Sequence, residues 1–281
     1  MDNKEKIYQP ELQVKMGWLS CWKEMLREII ESRELIWRLF VRDFLAKYKQ
    51  AVLGILWAVI MPVVVVGVFV FMNRAGILNI GETSIPYPAY AILGLTIWQL
   101  FASGLSSCSA SIVSGGSMVV KINFAKESLV IASLAQSFFD FLIRLFLVIL
   151  VFLYYRIVPA WTIVLFPFSL VPLILFTLGL GLMFSLLNCI ARDTGNMVTI
   201  ITSFLLFLTP VLYPEKKNAL LSAFTKYNPL ASLVNGPRDL VISGSLTQPV
   251  RYFAMAIFSL IFFLLCWRIF HLVEPRMAER V

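Results

Sequence analysis

Asp140 and Arg144 are the residues of this sequence whose types and spacing could do chemistry. They stand four apart in an otherwise apolar run from Ser128 to Tyr155. A helix sets both on one face. An ionisable pair at that depth can carry a proton or an ion, and an intramembrane charge points to function by default. The same two charges can also neutralise each other, as a structural pair facing other helices or a wet cavity. Little else in the chain offers chemistry. No Gly-x-x-x-x-Gly-Lys-[Ser/Thr] loop occurs, and no Gly-x-Ser-x-Gly, zinc-ligand spacing or carboxylate cluster lies in a polar segment. The single histidine, His271, argues against His-based metal or triad chemistry. Gly179 and Gly181 lie inside an apolar run, where glycine serves packing rather than phosphate binding. No catalytic residue, cofactor or metal is therefore expected in this chain, and it is not expected to be an enzyme.

Composition says where such a pair would sit. Of 281 residues, 59% are hydrophobic and 14% charged, with a mean hydropathy of +0.84. A soluble domain carries about a quarter charged residues, so the chain reads as an all-α polytopic membrane protein. A net charge of +8 often signals nucleic acid. Cations held on the cytoplasmic side of a membrane explain it more simply, and no nucleic-acid partner is expected. Met1–Glu34 lacks the short apolar core of a cleavable signal peptide.

The elements that would position the pair follow from the apolar runs. Residues 1–50 form a cytoplasmic segment. In it Trp18, Trp22, Met25, Leu26, Ile29 and Ile30 mark one stripe of a helix, with Lys23, Glu24, Arg27, Glu28 and Glu31 opposite. That helix can lie flat on the bilayer surface or pack on the base of the bundle, and the two can hold together. Lys47 and Lys49 then stop at the headgroups, and about 22 uncharged residues follow, enough to cross a bilayer. Six spans are predicted, at about 51–72, 87–108, 128–155, 162–189, 197–212 and 250–270. Ser103, Ser107 and Ser111 form a small-residue seam on the second. Ser114-Gly115-Gly116-Ser117 breaks it, and a short connector from Val119 to Glu127 follows. Residues 213–249 hold two apolar patches, Ala219–Phe224 and Leu230–Val241, each too short to cross. They read as a re-entrant hairpin at the outer surface. Six crossings put both termini on one side, and the cation asymmetry makes it the cytoplasm. Cys21, Cys108, Cys189 and Cys266 fall at or near that side, where thiols stay reduced, so no disulfide is predicted.

Several short motifs occur in order. They are Tyr48-Lys49-Gln50 with Leu53-Gly54, Leu56-Trp57 and Pro62; Asn123-Phe124 to Glu127; Arg192-Asp193-x-Gly195-Asn196; Thr209-Pro210-Val211-x-Tyr213; Tyr227-Asn228-Pro229-Leu230; and Glu274-Pro275-Arg276-x-x-Glu279. Together, over about residues 36–281, they resemble the ABC-2 type permeases that export polysaccharides. The motif pattern is similar to that of O-antigen permeases, and capsule and teichoic-acid exporters share much of it. The connector departs from the family's usual Asn-Phe-Pro-Arg-Glu, with Ala125 and Lys126 in place of Pro-Arg.

That resemblance implies a homodimer in the bacterial inner membrane, with two nucleotide-binding subunits beneath it that bind ATP and Mg. It implies a lipid-linked polysaccharide as substrate. It implies that the amphipathic helix (Trp18, Trp22) and the connector (Lys121, Asn123, Phe124, Lys126, Glu127) dock on the nucleotide-binding subunits. The hairpin, with Asn228, Pro229 and Arg238, would form an outer gate. A sugar chain slides best over aromatic faces that bind it weakly and repeatedly. Trp57, Tyr90, Trp98, Phe101, Phe204, Phe207 and Tyr213 are candidates to line its path. Packing and interfacial anchoring are the competing roles for each. A gradient-driven transporter using Asp140 and Arg144, or a membrane scaffold without transport, would explain the spans equally.

Overall fold

The structure, a computed structural model, describes residues 18–49, 56–77, 81–116, 118–119, 124–214, 225 and 227–277. Every long regular element among them is helical: α1 (Trp18–Glu31), α2 (Arg33–Lys49), α3 (Trp57–Arg74), α4 (Tyr87–Gly115), α5 (Glu127–Tyr154), α6 (Phe166–Ile190), α7 (Thr194–Leu208), α8 (Pro229–Ile242) and α9 (Pro249–Met277). A 3₁₀ turn, Trp161–Leu165, leads into α6. Five helical stretches are long and apolar enough to cross a membrane: Trp57–Arg74, Tyr87–Gly115, Glu127–Tyr154, Trp161–Ile190 and Pro249–Glu274.

The predicted fifth span is shorter than expected. Its helix, α7, has 15 residues and ends at Leu208. Thr209 precedes Pro210 and takes extended backbone angles, the conformation a following proline imposes. The second span is longer than predicted, because nothing interrupts it before Gly115. There Gly116 turns the chain at φ +50°, which suits a residue without Cβ.

α4 is the hub. It packs most extensively on α5 and α6, and also touches α3, α7 and α8. Lipid tails are as apolar as leucine, so helices in a membrane associate through close packing. The small residues of α4 allow it. A Cβ on Gly104 would stand 3.0 Å from Thr177 and 3.1 Å from Leu134. On α6, a Cβ at Gly181 would stand 2.5 Å from Cys108 Cβ. Gly179 meets Phe262 and Phe263 of α9 in the same way, so both glycines serve packing as expected. Of the predicted serine seam, Ser107 Oγ accepts from Ser137 Oγ of α5 at 3.3 Å, while Ser103 and Ser111 return their hydroxyls to the backbone of α4.

The stripe on α1 divides. Met25 is 1% exposed and belongs to a core with Leu39, Ile112, Leu129, Trp267 and Phe270, against which Trp22 and Ile29 also pack. Trp22 meets Trp267 edge-on at 5.7 Å. Leu26 and Ile30 stay exposed. α1 therefore packs on the bundle with one flank and keeps an open apolar flank beside it. α2 continues almost in line, since Ser32 N donates to Glu28 O and Ile36 N to Ser32 O. It runs against α5, with Phe44 edge-on to Phe139 at 4.8 Å. Among the described cysteines Cys108, Cys189 and Cys266 are free thiols.

Replacing Gly181 with valine should overpack the α4–α6 contact and cost about 1–3 kcal/mol. Gly67→Ala, with open space around its missing Cβ, should change little. Thermal melts of the two purified proteins in one detergent check the contrast.

Candidate functional site

Polar side chains gather at three places, and each place joins segments far apart in sequence. The first lies where α2 meets α5. Lys47 Nζ sits 2.6 Å from Asp140 Oδ2, and the Tyr48 hydroxyl donates to Asp140 Oδ1. Burial, followed by that hydrogen bond, pushes the Tyr48 phenol above its ordinary pKa and keeps it a donor. This corrects two expectations. Lys47 is not a simple headgroup anchor, since it reaches a carboxylate on the third predicted span. Asp140 is not satisfied by Arg144 four residues on; the partners come from another helix. Arg144 Nε and Nη1 are closed off from solvent and have no hydrogen-bond partner. A cavity of about 240 Å³ opens beside this cluster, bordered also by Gln99 and by Trp57, Met61 and Pro62 of α3.

The second place is where the connector meets α9. The backbone N–H of Lys126 donates to Glu274 Oε1 at 2.8 Å, and Lys126 Nζ lies 3.4 Å from the same oxygen. His271 Nδ1 meets Glu127 Oε1 at 3.1 Å. All four side chains are buried. Lys126 and Glu127, expected to present themselves to a partner subunit, are instead turned inward to tie α5 to α9. Phe124 packs against the core that holds Met25 and Trp267 and is only partly buried. Lys121 and Asn123 lie outside the described residues. In the sequence His271 is the single histidine and Glu274 belongs to the tail motif, so neither alone marks this cluster. Their spacing, three apart on one helix, was the available signal that they share a face.

The third place is where α8 meets the turn after α7, within the segment expected to form the hairpin. Arg238 is 3% exposed. Its Nη1 donates to Pro210 O and Val211 O, both at 3.1 Å, its Nη2 donates to Asn235 Oδ1, and its guanidinium lies 4.1 Å from the Tyr90 ring centre. Gly94 makes room, because a Cβ there would stand 3.2 Å from Arg238 Nη1. Asn228 caps α8 by accepting from Leu230 N at 3.0 Å and donates to Thr209 Oγ1 at 2.9 Å. Pro229 opens α8 at a position where no N–H is needed. The gate candidates thus fasten α8 to the turn after α7. A polar cavity of about 270 Å³ opens next to them, lined by Tyr90, Arg238, Glu82, Asp239, Gln248 and Arg251 among others. The first hairpin patch, Ala219–Phe224, lies outside the described residues.

The aromatic candidates separate by exposure. Trp98 and Phe101 are each 1% exposed, and Phe101 stacks on Phe176; both belong to the chain's own core and face no open surface. Tyr90 borders the polar cavity under Arg238. Phe204 and Phe207 of α7 are 66% and 59% exposed, and Trp57 is half exposed beside the α2–α5 cavity. The Tyr213 hydroxyl donates to Phe207 O at 2.6 Å, and burial raises its pKa. Trp18 opens α1.

Two pairs of the sequence motifs thereby meet in space, and a further motif is tied to α4 and α6. The connector touches the tail, the Thr209-Pro210-Val211 turn touches Asn228, and Asn188 bridges Ser109 O to Gly195 N at the Arg192–Asn196 turn. Residues 34–242 match the family described as ABC-2 type transporter. The chain belongs to that family. It is also similar to proteins called O-antigen export system permease protein RfbA. One, from Klebsiella pneumoniae, is 27% identical over 85% of this chain and 91% of its own length. Another, from Myxococcus xanthus, is 26% identical over 91% and 97%. The polysialic acid transport protein KpsM of Escherichia coli is 22% identical over 79% and 87%.

Arg238→Lys keeps the charge but loses the planar fork that spans two carbonyls. It should lower stability by about 2 kcal/mol, read as a lower melting temperature. His271→Ala, which strips a buried carboxylate of its partner, should lower it as well, and His271→Gln should recover part of the loss.

Proposed function

We propose that the chain is the membrane-spanning permease subunit of an ATP-binding-cassette exporter that carries a polysaccharide across the membrane. One observation carries the reading: similarity to two O-antigen export permeases that runs over 85% and 91% of the chain. The substrate class follows from those relatives and from the polysialic acid transporter. O-antigen, the repeating glycan of lipopolysaccharide, is the favoured cargo, in lipid-linked form.

In this reading two copies of the chain pair in the inner membrane with both termini in the cytoplasm. Two nucleotide-binding subunits beneath them bind ATP and Mg, and this chain has no ATPase site of its own. The open apolar flank of α1, with Leu26 and Ile30, suits either headgroups or those subunits. Hydrolysis would press on α1 and on the connector. Because Lys126 and Glu127 are held by Glu274 and His271 of α9, a push at the connector would reach α5 and α9 as one unit. The exposed rings of Phe204 and Phe207 suit a path for sugar, or contact with the second copy. α8, fastened by Arg238 and Asn228, suits a cap over that path. The gradient-driven alternative gains nothing from Asp140, which is bound by Lys47 and Tyr48.

Proteoliposomes holding the chain with its nucleotide-binding subunit test this. Adding lipid-linked glycan should raise ATP hydrolysis, and export should stop with a non-hydrolysable ATP analogue. Export should survive collapse of the proton gradient. Transport that needs the gradient and ignores the analogue would overturn the reading.

A further inference from the structure

Arg144 lies one helical turn beyond Asp140 on α5. A guanidinium carries five N–H donors, and those on Nε and Nη1 have no acceptor while being shut off from solvent. Leaving charged donors unmet inside an apolar bundle is costly. The nearest carboxylate is already bound, its two oxygens held by Lys47 and Tyr48. Lys47, Asp140 and Arg144 together leave one uncompensated positive charge. They border the 240 Å³ cavity, whose polar edge also holds Gln99. Its other wall is α3, where Trp57 and Met61 continue onto an exposed apolar face.

We propose that this cavity binds the phosphate- or diphosphate-bearing head of an amphiphile, with the apolar tail laid along α3. An anion there supplies Arg144 with acceptors and cancels the excess charge. A neutral sugar would do only the first. A free hydrated phosphate would leave the Trp57–Met61 wall without a partner. The site belongs to this chain and rests on the export reading only for the lipid's origin. A resident anionic phospholipid and the lipid that carries a glycan share this chemistry, and the test separates them.

The test uses the complex with its nucleotide-binding subunit in phosphatidylcholine nanodiscs, with radiolabelled farnesyl diphosphate as the probe. Binding should be saturable, farnesol should not compete, and inorganic pyrophosphate should compete at least tenfold more weakly than unlabelled probe. Displacement by phosphatidylglycerol identifies a resident phospholipid site; none identifies a diphosphate carrier site. Arg144→Gln should weaken binding by about tenfold or more, and Arg144→Lys should recover part of it. Should Arg144→Gln fail to fold, Lys47→Gln, which removes the excess charge, and the farnesol comparison in the unaltered protein decide. Competition by farnesol equal to that of the diphosphate, or full affinity in Arg144→Gln, overturns the proposal. Glycan-stimulated ATP hydrolysis without farnesyl diphosphate binding overturns this site and leaves the export reading intact; binding without stimulation does the reverse.

Discussion

α4 is enclosed by its neighbours along most of its length, and the other helices take their places from it. In lipid there is no gain in hiding one apolar surface from another, so what holds helices together is how closely their backbones approach. Gly104 against Thr177 and Leu134, and Cys108 against Gly181, set that approach on two sides of α4. Thr96, Ser109 and Ser111 sit buried on the same helix, and short side chains of this kind can return their hydroxyls to the backbone, as Ser111 does to Cys108 O. A central helix of bulky residues would have kept α5 and α6 apart and left the polar clusters at its two ends without partners.

Those clusters obey a second constraint. Buried hydroxyls here return to the backbone of their own helix, whereas most of the charged groups in these clusters are met from a distant segment, with two donors of Arg144 left unmet. Lys47 reaches Asp140, Glu274 reaches Lys126, and Arg238 reaches the carbonyls of Pro210 and Val211. Each contact joins elements far apart in sequence. The connector is thereby joined to the last helix, and α8 to the turn after α7. In the proposed exporter such contacts would carry a push at one surface into the bundle.

The surfaces left open complete the picture. α3 exposes Trp57, Met61, Val64 and Phe71, and α7 exposes Phe204 and Phe207. On a lone helix in lipid such faces need no partner. The proposed export reading would assign them to a second copy or to a sliding glycan. Trp98 and Phe101, equally aromatic, serve instead as the filling of the core around α4.

Membrane class, the long spans, the break at Gly115-Gly116, the packing role of Gly179 and Gly181 and the family itself were legible in the residues. Each depends on local composition, on helical periodicity or on short motifs in order. The register of contacts was not. Asp140 and Arg144 share a face by spacing, which made them look like mutual partners; only the crossing of α2 over α5 placed Lys47 and Tyr48 closer. Lys126 and Glu127 read as surface residues because a charged connector is normally solvated, yet the fold brings His271 and Glu274 over them. Trp98 and Phe101 could not be told from pore-lining rings, since an apolar helix shows similar residues to core, lipid and channel. Sequence determines what a helix can bury; which neighbour it is buried against depends on interhelical geometry, and no periodicity encodes that.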